Sequence, residues 1–152
     1  MTTRNIFIAS SAEMKPERLE LIDLLEDMEG FHAVVWESMD PALRAERKED
    51  EYLQRLRQCE VCITMFWRVL GKYTKEELRE ALAEQEAGRL PRRNLVLLKT
   101  TDSPSPELAA FLAELRSEHP DIIHSFTTTA ELRGMVESFL HDSDKMCTFA
   151  EE

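Results

Sequence analysis

The sequence predicts an α/β domain built on a parallel sheet, with helices packed against both of its faces. Five short apolar runs, each long enough for one strand, alternate along the chain with longer segments whose apolar residues recur at helical spacing. The strand runs are apolar throughout, instead of alternating with polar residues. That composition is typical of parallel strands that are covered by helices on both faces.

The first βαβ unit has clear boundaries. Residues 6–9 are predicted to form the first strand. Pro16 opens a helix and Gly30 ends it, as proline and glycine commonly do. Residues 33–36 form the second strand. The apolar residues of the helix recur at helical spacing and are Leu21, Ile22, Leu25 and Met28.

The middle of the chain continues the alternation. Residues 37–47 are polar and irregular, and a short amphipathic helix around Tyr52 follows them. Residues 61–67 form the third strand. Residues 75–87 form a helix that Gly88 closes.

The last third adds two more strands. Residues 95–98 form the fourth strand, and Pro106 starts a helix after it. A weaker fifth strand covers residues 122–126, before a final helix around Val136. The prediction is therefore one domain over residues 1–142, followed by an irregular tail over residues 143–152.

Composition narrows the class of protein. The chain has 152 residues, of which 43% are apolar and 32% charged, and this describes a globular domain. Its net charge of −11 argues against nonspecific nucleic-acid binding. No run approaches the roughly 18 apolar residues of a membrane span, and the N-terminus lacks a signal-peptide pattern. We therefore expect a cytoplasmic protein with no membrane partner.

The cysteines and histidines do not predict a metal or redox site. Cys59 and Cys62 have C-x-x-C spacing, but Cys62 lies within a predicted strand and no second pair accompanies them. The four histidines are scattered without metal-ligand spacing. We expect both cysteines to be small buried apolar residues.

The predicted strand order, 2-1-3-4-5, is that of the flavodoxin-like fold. In this order the crevice for ligands opens between the carboxyl ends of strands 1 and 3, where the chain connections depart in opposite directions. Strand 1 ends in Ser10 and Ser11, and strand 3 ends in Trp67 and Arg68. The crevice is therefore expected beside these four residues and the helix that follows strand 3.

Glu77 is the candidate catalytic residue, and a structural role competes with that assignment. Thr74 and Glu77 have the spacing of a helix capping box, and the chain repeats the pattern at Thr128 and Glu131. The predicted sheet-facing side of this helix is defined by Leu78, Ala81, Leu82 and Gln85. At 100° per residue, Glu77 falls on the border of that side, whereas Glu76 points to solvent. A carboxylate at that border could stabilise, or attack, an electron-deficient ribose carbon.

Other residues near the crevice suit a nucleotide. Trp36, Trp67 and Tyr73 could stack on a base or a nicotinamide ring, although packing alone also explains Trp36. Arg68 and Lys72 could meet phosphates, although each could also be an ordinary solvated charge. Ser10 and Ser11 could donate hydrogen bonds, but no nucleophile elbow surrounds them. No glycine-rich dinucleotide or phosphate loop is present in the sequence.

Several of these segments together resemble bacterial TIR-like domains, the Toll/interleukin-1 receptor-like NADase family found at the N-termini of NACHT and STAND defence proteins. The resemblance spans roughly residues 5–100, and residues 71–77 (Gly-Lys-Tyr-Thr-Lys-Glu-Glu) are its most specific part. The other matching segments are residues 6–11 with Glu17 and Arg18, residues 35–37, residues 47–52, and Phe66 with Trp67.

The resemblance implies a flavodoxin-like fold and an enzyme of bacterial immunity that cleaves NAD(P)+ as a substrate, with no cofactor. Glu77 would be the essential glutamate, with Glu76 as the second choice, and Thr74 would be part of the substrate site. It also implies self-association through TIR–TIR contacts, here through the loop after strand 2 with Glu37, Asp40, Arg44 and Arg47, and a fused or separate sensor or NTPase module. Two alternatives stay open: a catalytically silent interaction module, and an N-ribosyl transferase or hydrolase acting on another nucleoside or nucleotide.

Overall fold

The computed structural model describes residues 3–35 and 49–151, with the side chains of residues 49, 50 and 142–151 left aside. Within these residues, five parallel strands form one sheet in the order β2-β1-β3-β4-β5, surrounded by five α-helices. The strands are β1 Arg4–Ser10, β2 Phe31–Val34, β3 Val61–Phe66, β4 Arg93–Lys99 and β5 Ile123–Phe126. The helices are α1 Lys15–Asp27, α2 Glu49–Leu56, α3 Lys72–Glu86, α4 Pro106–Glu118 and α5 Thr129–Glu151, and a 3-10 turn, Ala12–Met14, precedes α1.

The predicted α/β, flavodoxin-like fold and its strand order are confirmed. The strands are apolar throughout because both faces of the sheet are covered. Successive side chains of β1 point to opposite faces: Ile6 and Ile8 join the core under α1 and α5, and Phe7 and Ala9 join the core under α2 and α3. A third cluster, centred on Phe66, fills the space between the sheet, α3 and α4.

The register of the central strands positions the ligand crevice. Ile6 pairs with Val61 and Ser10 pairs with Met65, so β1 and β3 end side by side. The chain leaves β1 toward β2 on one side and leaves β3 toward β4 on the other. The segment that follows β1 and the segment that follows β3 therefore separate at this edge of the sheet and leave a crevice between them.

Two helix boundaries differ from the prediction. Helix α3 begins at Lys72, three residues before the predicted start, and Gly88, with φ of 77°, lies just past its end as expected. Helix α5 runs to Glu151, through residues that the sequence analysis assigns to an irregular tail. The tail after Asp142 contains neither glycine nor proline, so nothing in it terminates a helix.

Candidate functional site

A cavity of about 410 Å³ lies at the carboxyl end of β1 and the beginning of α3. Residues from β1, α1, α2 and α3 line it. Its volume is in the range of ordinary ligand pockets. The polar or partly polar side chains in its wall are Ser10, Ser11, Arg18, Tyr52, Lys72, Tyr73, Thr74 and Glu77. Six of these are residues that the sequence analysis assigned to the site, and Arg18 and Tyr52 are additions.

Thr74 and Glu77 do not form a capping box, and that structural prediction is wrong. The N-cap of α3 is Gly71, whose carbonyl accepts a hydrogen bond from the Lys75 amide at 3.0 Å. Thr74 and Glu77 are therefore the third and sixth residues of the helix. Their exposed fractions are 3% and 4%, so both are buried within α3. A capping role does not account for Glu77.

The second copy of the pattern is a true capping box. Thr128 precedes α5, and its amide and hydroxyl donate to Glu131 Oε1 at 3.1 and 3.2 Å. The Glu131 amide donates to Thr128 Oγ1 at 3.2 Å. The same four-residue pattern therefore has two different roles in this chain, and only the one at α5 is a cap.

Glu77 lies within the buried stripe of α3 and not at its border. The buried residues of this helix recur at helical spacing and are Thr74, Glu77, Leu78, Ala81, Leu82 and Glu84. Gln85, expected at the centre of that face, is exposed, and its side chain accepts a hydrogen bond from Asn94 at 2.8 Å. Glu76 is exposed, as predicted. Glu77 is thus buried on α3 and lines the cavity.

Gly71 lets the loops after β1 and β3 approach each other. A Cβ atom on Gly71 would lie 3.0 Å from Thr74 Oγ1 and 3.4 Å from Ser11 Cβ. The 3.0 Å distance is tighter than most Cβ contacts, so a larger residue at position 71 would require the Thr74 hydroxyl to shift, whereas 3.4 Å to Ser11 is close to ordinary contact. The N-terminus of α3 is thereby brought against the end of β1.

Arg18 lines the site, although the sequence points to it only as part of the TIR-like resemblance and not as a site residue. It projects from α1, is 6% exposed and lines the cavity. Its Nη1 donates to Ser10 Oγ at 2.9 Å and to the Ser11 carbonyl at 2.7 Å. A signal was present: Arg18 precedes Leu21, Ile22 and Leu25 by three, four and seven residues, which places a cation on the buried face of the helix.

Tyr52 is the second addition. It is 1% exposed, it packs with Phe7, Leu56 and Cys62, and it forms part of the cavity wall. Tyr73, by contrast, is 38% exposed at the cavity, with the Lys72 ammonium 5.6 Å from its ring centroid. The two tyrosines give the cavity one buried and one accessible aromatic side chain.

Trp67 and Arg68 are not among the described residues that line the cavity. Trp67 packs against the core on the α1 and α5 side of the sheet, because it shares the strand face of Ile63 and Met65. The Arg68 guanidinium lies 3.9 Å from the centroid of the Trp67 ring, and the Lys99 ammonium lies 4.1 Å from it. A ligand contact by Trp67 or Arg68 therefore stays a prediction, at a place beside the cavity and not in its wall.

Glu13 fixes the loop after β3. Its carboxylate accepts hydrogen bonds from the Arg68 amide, the Val69 amide and Arg68 Nε, at 3.1, 2.9 and 3.1 Å. Burial acts to raise the pKa of the Glu13 carboxyl, but the bonds from Val69 and Arg68 and the Arg68 charge outweigh it and lower that pKa. The sequence shows no pattern that would reveal this contact.

Cys59 and Cys62 are both buried, as expected for small apolar residues. Burial raises the pKa of Cys59 to about 12. Burial also raises the pKa of Cys62, and the negative charge of Glu77 raises it further. A hydrogen bond with Thr64 lowers this pKa but does not cancel the increase. Among the residues that the structure describes, no three His, Cys, Asp or Glu side chains are grouped so as to hold a metal ion.

Five predicted residues lie outside the described ranges: Trp36, Glu37, Asp40, Arg44 and Arg47.

Over the part of the chain that is described, no helix combines the length and apolar character needed to cross a membrane. Neither the models of known protein families nor the curated proteins that were compared match this chain. The TIR-like resemblance therefore rests on the quoted motifs alone.

Proposed function

We propose that this chain is a TIR-like NAD(P) glycohydrolase that cleaves the bond between nicotinamide and ribose, with Glu77 as the catalytic residue. One observation carries the proposal: Glu77 is buried in the wall of a ligand-sized cavity and does not cap its helix. Burying a carboxylate is costly. Functional sites are where such cost is commonly accepted.

The reaction needs little beyond a well-placed negative charge. The C1′–N bond breaks, and its electron pair leaves with nicotinamide, which becomes a neutral base. The ribose is left as an oxocarbenium-like cation, which an ionised Glu77 stabilises. Water then adds to C1′ and releases one proton, giving ADP-ribose. Because Glu77 is shielded from bulk water, its interaction with the cation is stronger than in solution.

The remaining cavity residues support binding of the reacting part of the substrate. Tyr73 offers an accessible ring, and Tyr52 and Phe7 contribute buried aromatic surface to the cavity wall. Ser10 and Ser11 offer hydroxyls that can bond a ribose. The same geometry also serves N-ribosyl transfer or hydrolysis on another nucleotide, so the test must identify products. A role in bacterial immunity follows from the resemblance and belongs to the same proposal.

We expect Glu77→Gln to abolish cleavage, because glutamine keeps the shape of the side chain and removes its charge. The purified full chain is incubated with NAD+ and, separately, NADP+, and the products are identified by chromatography and mass spectrometry. The rate should fall by about a hundredfold or more. Glu76→Gln is the matched control: it makes the same chemical change one residue away on the exposed face, and its rate should stay within about twofold of wild type.

Three results would contradict the proposal. Full turnover by Glu77→Gln would remove Glu77 from the chemistry. Absence of any cleavage product from wild type, at chain concentrations that allow self-association, would favour the interaction module. Cleavage of other nucleosides but not NAD(P)+ would favour the transferase or hydrolase alternative.

A further inference from the structure

We infer that Arg18 makes the cavity selective for a ligand with a 5′-phosphate, so that the substrate is a nucleotide and not a nucleoside. The inference rests on the proposed function and adds a specificity-determining residue to it. Its basis is the position of the Arg18 guanidinium, which lines the same cavity as the Glu77 carboxylate.

The guanidinium of Arg18 is held in a defined place. It is 6% exposed, and it donates hydrogen bonds to the end of β1, to Ser10 Oγ at 2.9 Å and to the Ser11 carbonyl at 2.7 Å. An arginine fixed in this way loses little side-chain freedom when it binds a ligand. Its planar fork of donors also matches the oxygens of a phosphate.

The neighbouring part of the cavity wall is also electropositive. The first turn of α3 lines the cavity through Gly71, Lys72, Tyr73 and Thr74. The amides of a first turn have no intrahelical acceptors, and the helix dipole gives this end a partial positive charge. Lys72 adds a full charge, and the segment from Gly71 to Lys75 contains no carboxylate. An anion near Arg18 is therefore favoured by its surroundings as well.

The two opposite charges in the cavity wall match one class of molecule. Arg18 favours an anion, and Glu77, on the second turn of α3, favours a cation. A ribosylpyridinium 5′-phosphate carries both charges: its phosphate is negative and its pyridinium ring is positive. The nicotinamide half of NAD+ belongs to this class. A nucleoside lacks the anion and leaves Arg18 without its proposed ligand.

Nicotinamide mononucleotide and nicotinamide riboside test the inference, because they differ only in the 5′-phosphate. Binding of each is measured by titration calorimetry to the full chain carrying Glu77→Gln, so that neither is consumed. We expect the mononucleotide to bind roughly 10-fold to 100-fold more tightly than the riboside. Equal affinities, or no binding of either compound, would overturn the inference without any variant at Arg18.

Arg18→Met, added to Glu77→Gln, should remove most of that difference by weakening only the mononucleotide. Arg116→Met is the matched control, because Arg116 is an exposed arginine on α4 that does not line the cavity. If Arg18→Met lowers the thermal midpoint sharply, Arg18→Lys replaces it: lysine keeps the charge but lacks the planar fork, and an intermediate preference is expected. An unchanged preference in a folded Arg18 variant overturns the assignment.

The outcomes separate this inference from the proposed function. Phosphate-dependent binding through Arg18 without any NAD+ cleavage by wild type would leave the inference standing and remove the proposed reaction. Cleavage of NAD+ together with equal binding of mononucleotide and riboside would do the reverse.

Discussion

At the scale of single residues, Cys62 and Glu77 show how burial sets reactivity on one face of the sheet. Cys62 Sγ lies 3.6 Å from Thr64 Oγ1, and its pKa is raised by burial and by the negative charge of Glu77. Cys59 is buried beside it in the chain, with its thiol 3.3 Å from the Arg55 carbonyl. Both thiols are kept protonated, which removes the nucleophilic form that redox chemistry needs.

Cys59 and Cys62 should therefore resist thiol reagents while the protein is folded. With a pKa of about 12, Cys59 has a thiolate fraction of about one in ten thousand at pH 8. Reaction with a chromogenic disulfide is followed in a Cys147→Ser variant, which leaves only these two thiols. We expect slow reaction in buffer and two equivalents at once in denaturant. Rapid labelling of the folded protein would show that the thiols are accessible.

At the scale of elements, Glu13 ties two segments together at the edge of the sheet. Glu13 lies in the 3-10 turn Ala12–Met14. Its carboxylate accepts hydrogen bonds from the backbone amides of Arg68 and Val69, which lie in the loop after β3. That loop leads directly into α3 and so into Glu77. Glu13 thus sets the position of the element that supplies the proposed catalytic carboxylate.

Glu13→Gln should lower the free energy of unfolding by about 1–2 kcal/mol at pH 7. The expected loss is small because the Arg68 side chain is half exposed, so solvent screens its ion pair with Glu13. The Glu13 pKa is lower in the folded chain than its ordinary value of 4.5. The stabilisation is therefore fully present above that value and is lost as pH falls through the folded pKa. Denaturant unfolding at pH 3 to 7 should show the difference between wild type and variant shrinking with acidity.

The control for that experiment is Glu26→Gln, since Glu26 is exposed on α1. Its effect on the free energy of unfolding should stay within about 0.5 kcal/mol. A difference between wild type and Glu13→Gln that grows on acidification would contradict the proposed contact.

At the scale of the whole molecule, the sheet topology places Ser10, Arg18 and Glu77 at one edge although they come from distant parts of the chain. The resemblance to TIR-like domains further implies that copies of the chain assemble, with residues 37–47 as the contact. If the neighbouring copy completes the site, catalysis must depend on the concentration of the chain.

We expect the NAD+ cleavage rate per chain to rise with protein concentration, and Arg44→Glu with Arg47→Glu to reduce it without lowering the thermal midpoint. Turnover is measured over a dilution series alongside sedimentation, which reports the oligomeric state. Arg116→Glu makes the same kind of charge change on α4 and should leave the rate unchanged. Full activity from a dilute monomer would contradict a role for assembly.

The sequence alone predicted the fold, because its main signals are local. Apolar runs of strand length and helical periodicity depend on neighbouring residues, and connection rules then leave few possible strand orders. The position of the crevice followed in the same way, since Ser10, Ser11 and residues 71–77 adjoin strands whose order was predicted. Helix ends were less predictable: the pattern at Thr74 and Glu77 is identical in form to the capping box at Thr128 and Glu131.

Only the tertiary structure decided which of these patterns is a cap and which cation enters the cavity. Helix α3 starts at Lys72, where Gly71 and Ser11 lie close together, and Glu77 belongs to its buried stripe. Strand alternation packs Trp67 into the core on the α1 and α5 side of the sheet, outside the cavity wall, whereas Arg18 of α1 lines the cavity together with Lys72. These outcomes depend on contacts between segments far apart in the chain, and local propensity carries no information about them.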